Sequence, residues 1–121
     1  MPNIINVSLD TVDGQDVLKI ADHGVPRYSI KQAIVWELAG KLTNGDFIDF
    51  AWNDPQPPDG IFGTPVVGGH GNSLTVTDVN NSPDSAGEWS YTISVSWNGK
   101  TITTKGVVYI DASKDPIIIN K

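Results

Sequence analysis

The sequence predicts an all-β sandwich of about seven or eight short, mostly antiparallel strands in one domain spanning residues 1–121. Apolar residues alternate with polar ones in short runs along most of the chain, and Gly, Pro, Asn and Asp punctuate the runs. The segment Gly87 to Asp111 reads as a long hairpin closed on Asn98-Gly99.

An Asn-Gly pair suits a type I′ turn, which needs φ > 0 at both central positions. Pairing Trp97 with Lys100 sets Val95 against Ile102, Ile93 against Thr104, Tyr91 against Gly106 and Trp89 against Val108. The other face sets Ser96 against Thr101, Ser94 against Thr103, Thr92 against Lys105 and Ser90 against Val107. One face is largely apolar and the other largely hydroxylic, so the hairpin has a dry side for a core and a wet side for solvent.

Ile5, Val7 and Leu9 alternate with Asn6, Ser8 and Asp10 to give a first strand, Asp13-Gly14 turns the chain, and Val17, Leu18 and Ile20 make a second strand that ends in Asp22-His23-Gly24-Val25-Pro26. Residues 29–42 fit either a helix, from Ser29 with Gln32 and the spacing of Ile30, Ile34, Leu38 and Leu42, or a strand; the β-branched and aromatic content of Ala33–Leu38 favours the strand. Phe47–Trp52 reads as the next strand, with Ile48, Phe50 and Trp52 on one face and a bulged or wider connection at Thr43–Asp46 setting it opposite Trp36 and Leu38. From Asn53 to Ser73 the alternation stops in a Pro- and Gly-rich loop that Ile61-Phe62 and Val66-Val67 can pin to the body. Leu74 and Val76 mark another strand, Asn80–Ala86 a corner, and Ile117–Ile119 a last strand buried on both faces.

The 121 residues suffice for one proper core. A net charge of −6 with only 8 basic residues argues against nucleic acid and anionic membrane surfaces. Cysteine is absent, which removes disulfides, a thiolate nucleophile and a Cys-built zinc site. No basic, apolar, small-residue leader is visible at Met1–Asn6, so the expected location is the cytoplasm.

Two resemblances bear on the fold. Ala86-Gly87-Glu88-Trp89-Ser90-Tyr91 resembles the corner entering strand F of immunoglobulin-like domains, with Trp89 where that family has its corner Tyr and Tyr91 where it has its core Cys. Ile34-Val35-Trp36-Glu37-Leu38, Phe50-Ala51-Trp52-Asn53-Asp54 and the terminal Asp115-Pro116 segment together resemble the small uncharacterised bacterial DP-EP family. The resemblances imply an immunoglobulin-like sandwich with no established activity.

The search for chemistry returns little. No nucleophile elbow, zinc-protease helix, phosphate loop or dinucleotide fingerprint occurs. His23 and His70 flank glycines in loops, where an inert, exposed histidine is the commoner case, and Gly68-Gly69-His70-Gly71 reads as a flexible loop. Asp10, Asp13 and Asp16 lack the spacing of a calcium-binding EF-hand loop; Asp54 and Asp59 with Asn53 can be calcium ligands or simply turn residues. Trp36 and Trp89 are assigned to the core, Trp97 to the hairpin tip beyond it, and Trp52 to packing over Pro57 or Pro58. The expectation is a non-catalytic domain that takes no cofactor or metal and binds a protein partner or itself through a sheet edge or the 53–73 loop. The candidate binding residues are Trp52, Asn53, Asp54, Asp59, Phe62, His70 and Trp97. The alternative is a carbohydrate- or calcium-binding module on the same loop; more distant is a hydrolase using His70 with Asp54 or Asp59.

Overall fold

Ten strands form two mixed sheets in the computed structural model, which describes residues 3–12, 14–104 and 116–121. They are β1 (Asn3–Val12), β2 (Gln15–Lys19), β3 (His23–Val25), β4 (Gln32–Leu38), β5 (Asp46–Trp52), β6 (Val66–Gly68), β7 (Ser73–Asp78), β8 (Gly87–Trp97), β9 (Lys100–Thr103) and β10 (Ile117–Asn120). One sheet runs β2-β1-β4-β7-β6 and the other β3-β10-β8-β5, with β9 also paired to β8. The pairs β1–β4 and β3–β10 are parallel and the rest antiparallel.

The hairpin tip has the expected register, Trp97 opposite Lys100 through Ser94 opposite Thr103, and positive φ at Asn98 (52°) and Gly99 (75°). Tyr91, Ile93 and Val95 are fully buried, so the odd-numbered face looks inward. Farther along, the hairpin gives way to a different neighbour. Ile93 N–H donates to Thr104 Oγ1 at 3.0 Å, and on that same edge of β8 Tyr91 N–H donates to Pro116 O at 3.2 Å. From there β10 occupies the edge, with Ile117 opposite Ser90 and Ile118 opposite Trp89. The expected partners at 105–108 lie outside the described residues.

Two tryptophan assignments change. Trp89, near the start of β8, is only half-buried, and its ring lies against Gly87, where an added Cβ would sit 2.9 Å from Trp89 Cζ2. Its Nε1 is buried with no acceptor among the described residues. Trp97, expected to protrude, is half-buried and packs against the core.

Residues 32–38 are a strand, and the connection from it to β5 is not a hairpin. A 3-10 turn over Gly40–Asn44 inserts Leu42, fully buried, and carries the chain from one sheet to the other. Trp36 and Phe50 therefore face each other across the core with ring centroids 5.2 Å apart, instead of pairing within one sheet. The irregularity lies inside β5, between Phe47 and Asp49 in its register with β8. A bulge reverses side-chain alternation. Phe47 is thus buried while Ile48, expected inside, is 52% exposed.

The core joins Ile5, Val7, Ile34, Trp36, Leu74 and Val76 of one sheet to Phe47, Tyr91, Ile93, Val95 and Ile118 of the other. Ile117 and Ile119 are half-buried and Ile118 and Asn120 buried, so β10 alternates rather than being dry on both faces.

Candidate functional site

A series of aromatic rings runs from the middle of the core to the surface. Tyr91 meets Trp36 edge-on at 5.2 Å and stacks on Phe50 at 5.4 Å; Phe50 meets Trp52 edge-on at 5.0 Å; Trp52 lies against Phe62 at 4.3 Å with the planes tilted 34°. Edge-on and offset contacts at these separations are the favoured arrangements of aromatic quadrupoles. Trp36 and Tyr91 are fully buried and Trp52 and Phe62 half-buried, so the series brings a rigid aromatic pair to the surface.

Phe62 is held by β7. It bridges to Asp78, Gly63 N–H donates to Thr77 O at 2.9 Å, and Val79 N–H donates to Ile61 O at 2.7 Å. With β6 paired to β7 farther on, the 53–73 segment is fastened to the body at the two apolar dipeptides singled out in the sequence.

Open clefts lie on both sides of Trp52. One, of about 250 Å³, is walled by Trp52, Phe62, Pro57, Pro58 and Asp59. The other, of about 290 Å³, is walled by Trp52, Asp49, Asp54, Gln56 and Thr92. A third, of about 260 Å³, continues along β5 between Ile48, Pro65 and Val67. Trp52 shares its first cleft with Pro57 and Pro58, while its nearest ring is Phe62.

The predicted residues divide between the two ends of β5. Trp52, Asn53, Asp54, Asp59 and Phe62 gather at one end. Asn53 serves the scaffold: its Nδ2 donates to Ser90 Oγ at 2.8 Å, its Oδ1 accepts from Thr92 Oγ1 at 2.7 Å, and its backbone N–H donates to Ser90 O at 2.9 Å. Trp97 lies beyond the Asp46–Ser96 pair at the opposite end, about 20 Å from the Trp52–Tyr91 pair at ~3.3 Å per residue. His70 is exposed in the β6–β7 turn at that far end, where Gly71 O accepts from Phe47 N–H at 2.8 Å. The run 68–71, expected to be flexible, forms a turn in which Gly71 N–H donates to Gly68 O at 3.1 Å. His70 therefore sits apart from Asp54 and Asp59. His23 is half-buried on β3; burial lowers its pKa, and its Nε2 lies 3.1 Å from the acceptor Asn3 Oδ1.

The outer edge of β5 is guarded. Phe47 N–H is taken by Gly71 O, Asp49 Oδ1 accepts from Phe50 N–H at 3.0 Å, and the bulge interrupts the strand between them. Such features resist pairing with an added strand.

A second polar cluster lies under the 80–86 corner and was not foreseen. Asn120 Nδ2 donates to Asp78 Oδ1 at 3.1 Å and to Ser85 O at 3.0 Å; Ser85 Oγ donates to Asn80 Oδ1 at 2.8 Å; Asn80 Nδ2 donates to Val25 O at 2.9 Å. All four residues are buried. Asp78 Oδ2 and Asn120 Oδ1 are buried without partners among the described residues, and burial pushes the Asp78 carboxyl up to about 6.

Among the described residues no three His, Asp or Glu side chains gather as a metal site, and no helix is long and apolar enough to cross a membrane. No protein-family model matches the chain, and no curated protein matches it in sequence.

Proposed function

We propose that the chain is a non-catalytic binding domain that recognises a protein partner through the surface around Trp52 and Phe62. One observation carries this reading: Trp52, at the end of β5 and continuous with the buried rings of the core, lines two open clefts and packs against Phe62 on the loop that follows, both rings half-buried and the loop tied down at its two apolar dipeptides. Rigid, partly exposed aromatics lose little conformational entropy on binding and are the commonest anchors of protein interfaces. Of the two routes open from sequence, the guarded β5 edge disfavours strand addition there and favours the loop. The test is affinity capture with the wild-type chain and with Phe62→Ala, both verified as folded by thermal melting. Partners retained by the wild type and lost by the variant support the reading; equal retention, or no specific partner together with a strict monomer in sedimentation, ends it.

A second reading, a carbohydrate-binding module, is favoured by the amide, carboxylate and hydroxyl groups of Gln56, Asp54 and Thr92 beside Trp52. Sugar stacking on Trp52 would shift its fluorescence emission on titration with simple oligosaccharides, and a flat titration removes it.

A further inference from the structure

The three clefts around β5 form one strip. Pro65 belongs to the apolar cleft and the Pro-rich one, Trp52 and Gln56 to the Pro-rich and polar ones, and Asp49 to the polar and apolar ones. Large apolar side chains are exposed along it, Ile48 at 52% and Val67 at 48%. Ile48 and Val67 line one cleft, and adjoining exposed apolar groups rimmed by polar ones are characteristic of interaction surfaces. From Ile48 to Trp52 the strip is about 13 Å long at ~3.3 Å per residue, the length of four extended residues.

Among the described residues the charge along the strip has one sign: Asp49, Asp54 and Asp59 are exposed on its walls, and no described Lys, Arg or His lines any of the three clefts. A second copy docking with this same surface would set these carboxylates against themselves, since a two-fold interface brings a patch onto its own image. A cationic partner meets no such penalty.

We propose that the strip binds an extended polypeptide segment with alternating basic and apolar side chains, its apolar groups against Ile48, Pro65 and Val67 and its cations over Asp49, Asp54 and Asp59. This rests on the binding-domain reading and adds the chemistry of the partner. Side chains carry the recognition, because two backbone donors on the β5 edge are already used within the chain.

The experiment titrates the full chain, followed by amide and indole NMR shifts, with a six-residue blocked peptide alternating lysine and leucine and with its glutamate–leucine counterpart. The basic peptide is expected to shift resonances of Ile48, Trp52 and Val67. Its affinity should fall at least tenfold in the triple variant Asp49→Asn, Asp54→Asn, Asp59→Asn, and should weaken with added salt in the wild type, a measurement that needs no variant. Equal binding of the acidic peptide on this face, a salt-independent affinity, or an unchanged triple variant overturns the assignment of a basic partner while leaving a binding face in place. Shifts that cluster away from β5 overturn both readings. Concentration-dependent dimerisation abolished by Ile48→Asp would show that a second copy covers the strip, and would likewise overturn the basic partner.

Discussion

The Trp36 indole N–H donates to the Tyr91 hydroxyl at 2.9 Å, with both side chains fully buried and on opposite sheets. In a chain without cysteine this polar bond ties the two sheets together across the core. Tyr91→Phe keeps the ring and strands the indole N–H, which should cost about 1–3 kcal/mol in urea unfolding. Burial also holds the Tyr91 phenol above its ordinary range. Its folded pKa is thus above its unfolded value, so its contribution is full below roughly pH 10 and is lost as pH rises beyond that. Tyr91→Phe should flatten that alkaline loss.

Three of the tryptophans should separate by burial. Trp36→Ala, a full core truncation, is expected to cost about 3–5 kcal/mol, and Trp89→Ala and Trp97→Ala each visibly less, because both residues are half-buried. Denaturant midpoints at a common slope measure the difference.

Asp78 gives a pH signature. Its carboxyl is buried, its pKa stands raised from 3.8 to about 6 by desolvation, and the Asn120 bond offsets part of that rise. A raised folded pKa means stability that is full below the unfolded value and falls as pH climbs through about 6. The charged side chains on adjoining segments, Lys31, Asp84, Glu88 and Lys121, are exposed, and His23 on β3 is bonded to Asn3. In Asp78→Asn a second amide pairs with Asn120 and supplies a donor beside its free Oδ1. The variant should be more stable than wild type at pH 8, with the advantage shrinking toward pH 4. Parallel stability curves for the two proteins would refute this.

Gly87 has φ of 151° and carries the Trp89 ring against its Cα. Gly87→Ala should cost about 1–3 kcal/mol through backbone strain and displacement of that ring, read as a lowered melting temperature.

Much of the sandwich was legible because alternation is a local property. The Asn98-Gly99 turn fixed the tip register, and Leu74 and Val76 fell on the core face. The same alternation puts Asp78 inward, a signal of the buried polar cluster already present in residues 74–78. What stayed hidden is non-local. The transfer of β5 to the second sheet depends on a 3-10 turn burying Leu42, and the bulge that exposes Ile48 depends on pairing with β8. The arrival of β10 beside Trp89 joins segments far apart in the chain. At the site, Trp52 was legible as the end of a strand and Phe62, Asp54 and Asp59 as residues of the loop that follows, but neither loop composition nor the hairpin register says which end of β5 a residue reaches, so the sequence groups His70 and Trp97 with them across the length of β5.

Hydrogen exchange at the Trp36 indole tests the architecture most directly. A proton held between two sheets by Tyr91 should exchange only through global unfolding, as slowly as the most protected amides of β4 and β8, and Tyr91→Phe should speed it by the loss in stability. Exchange orders of magnitude faster than those amides in the wild type would contradict a core closed by this pair.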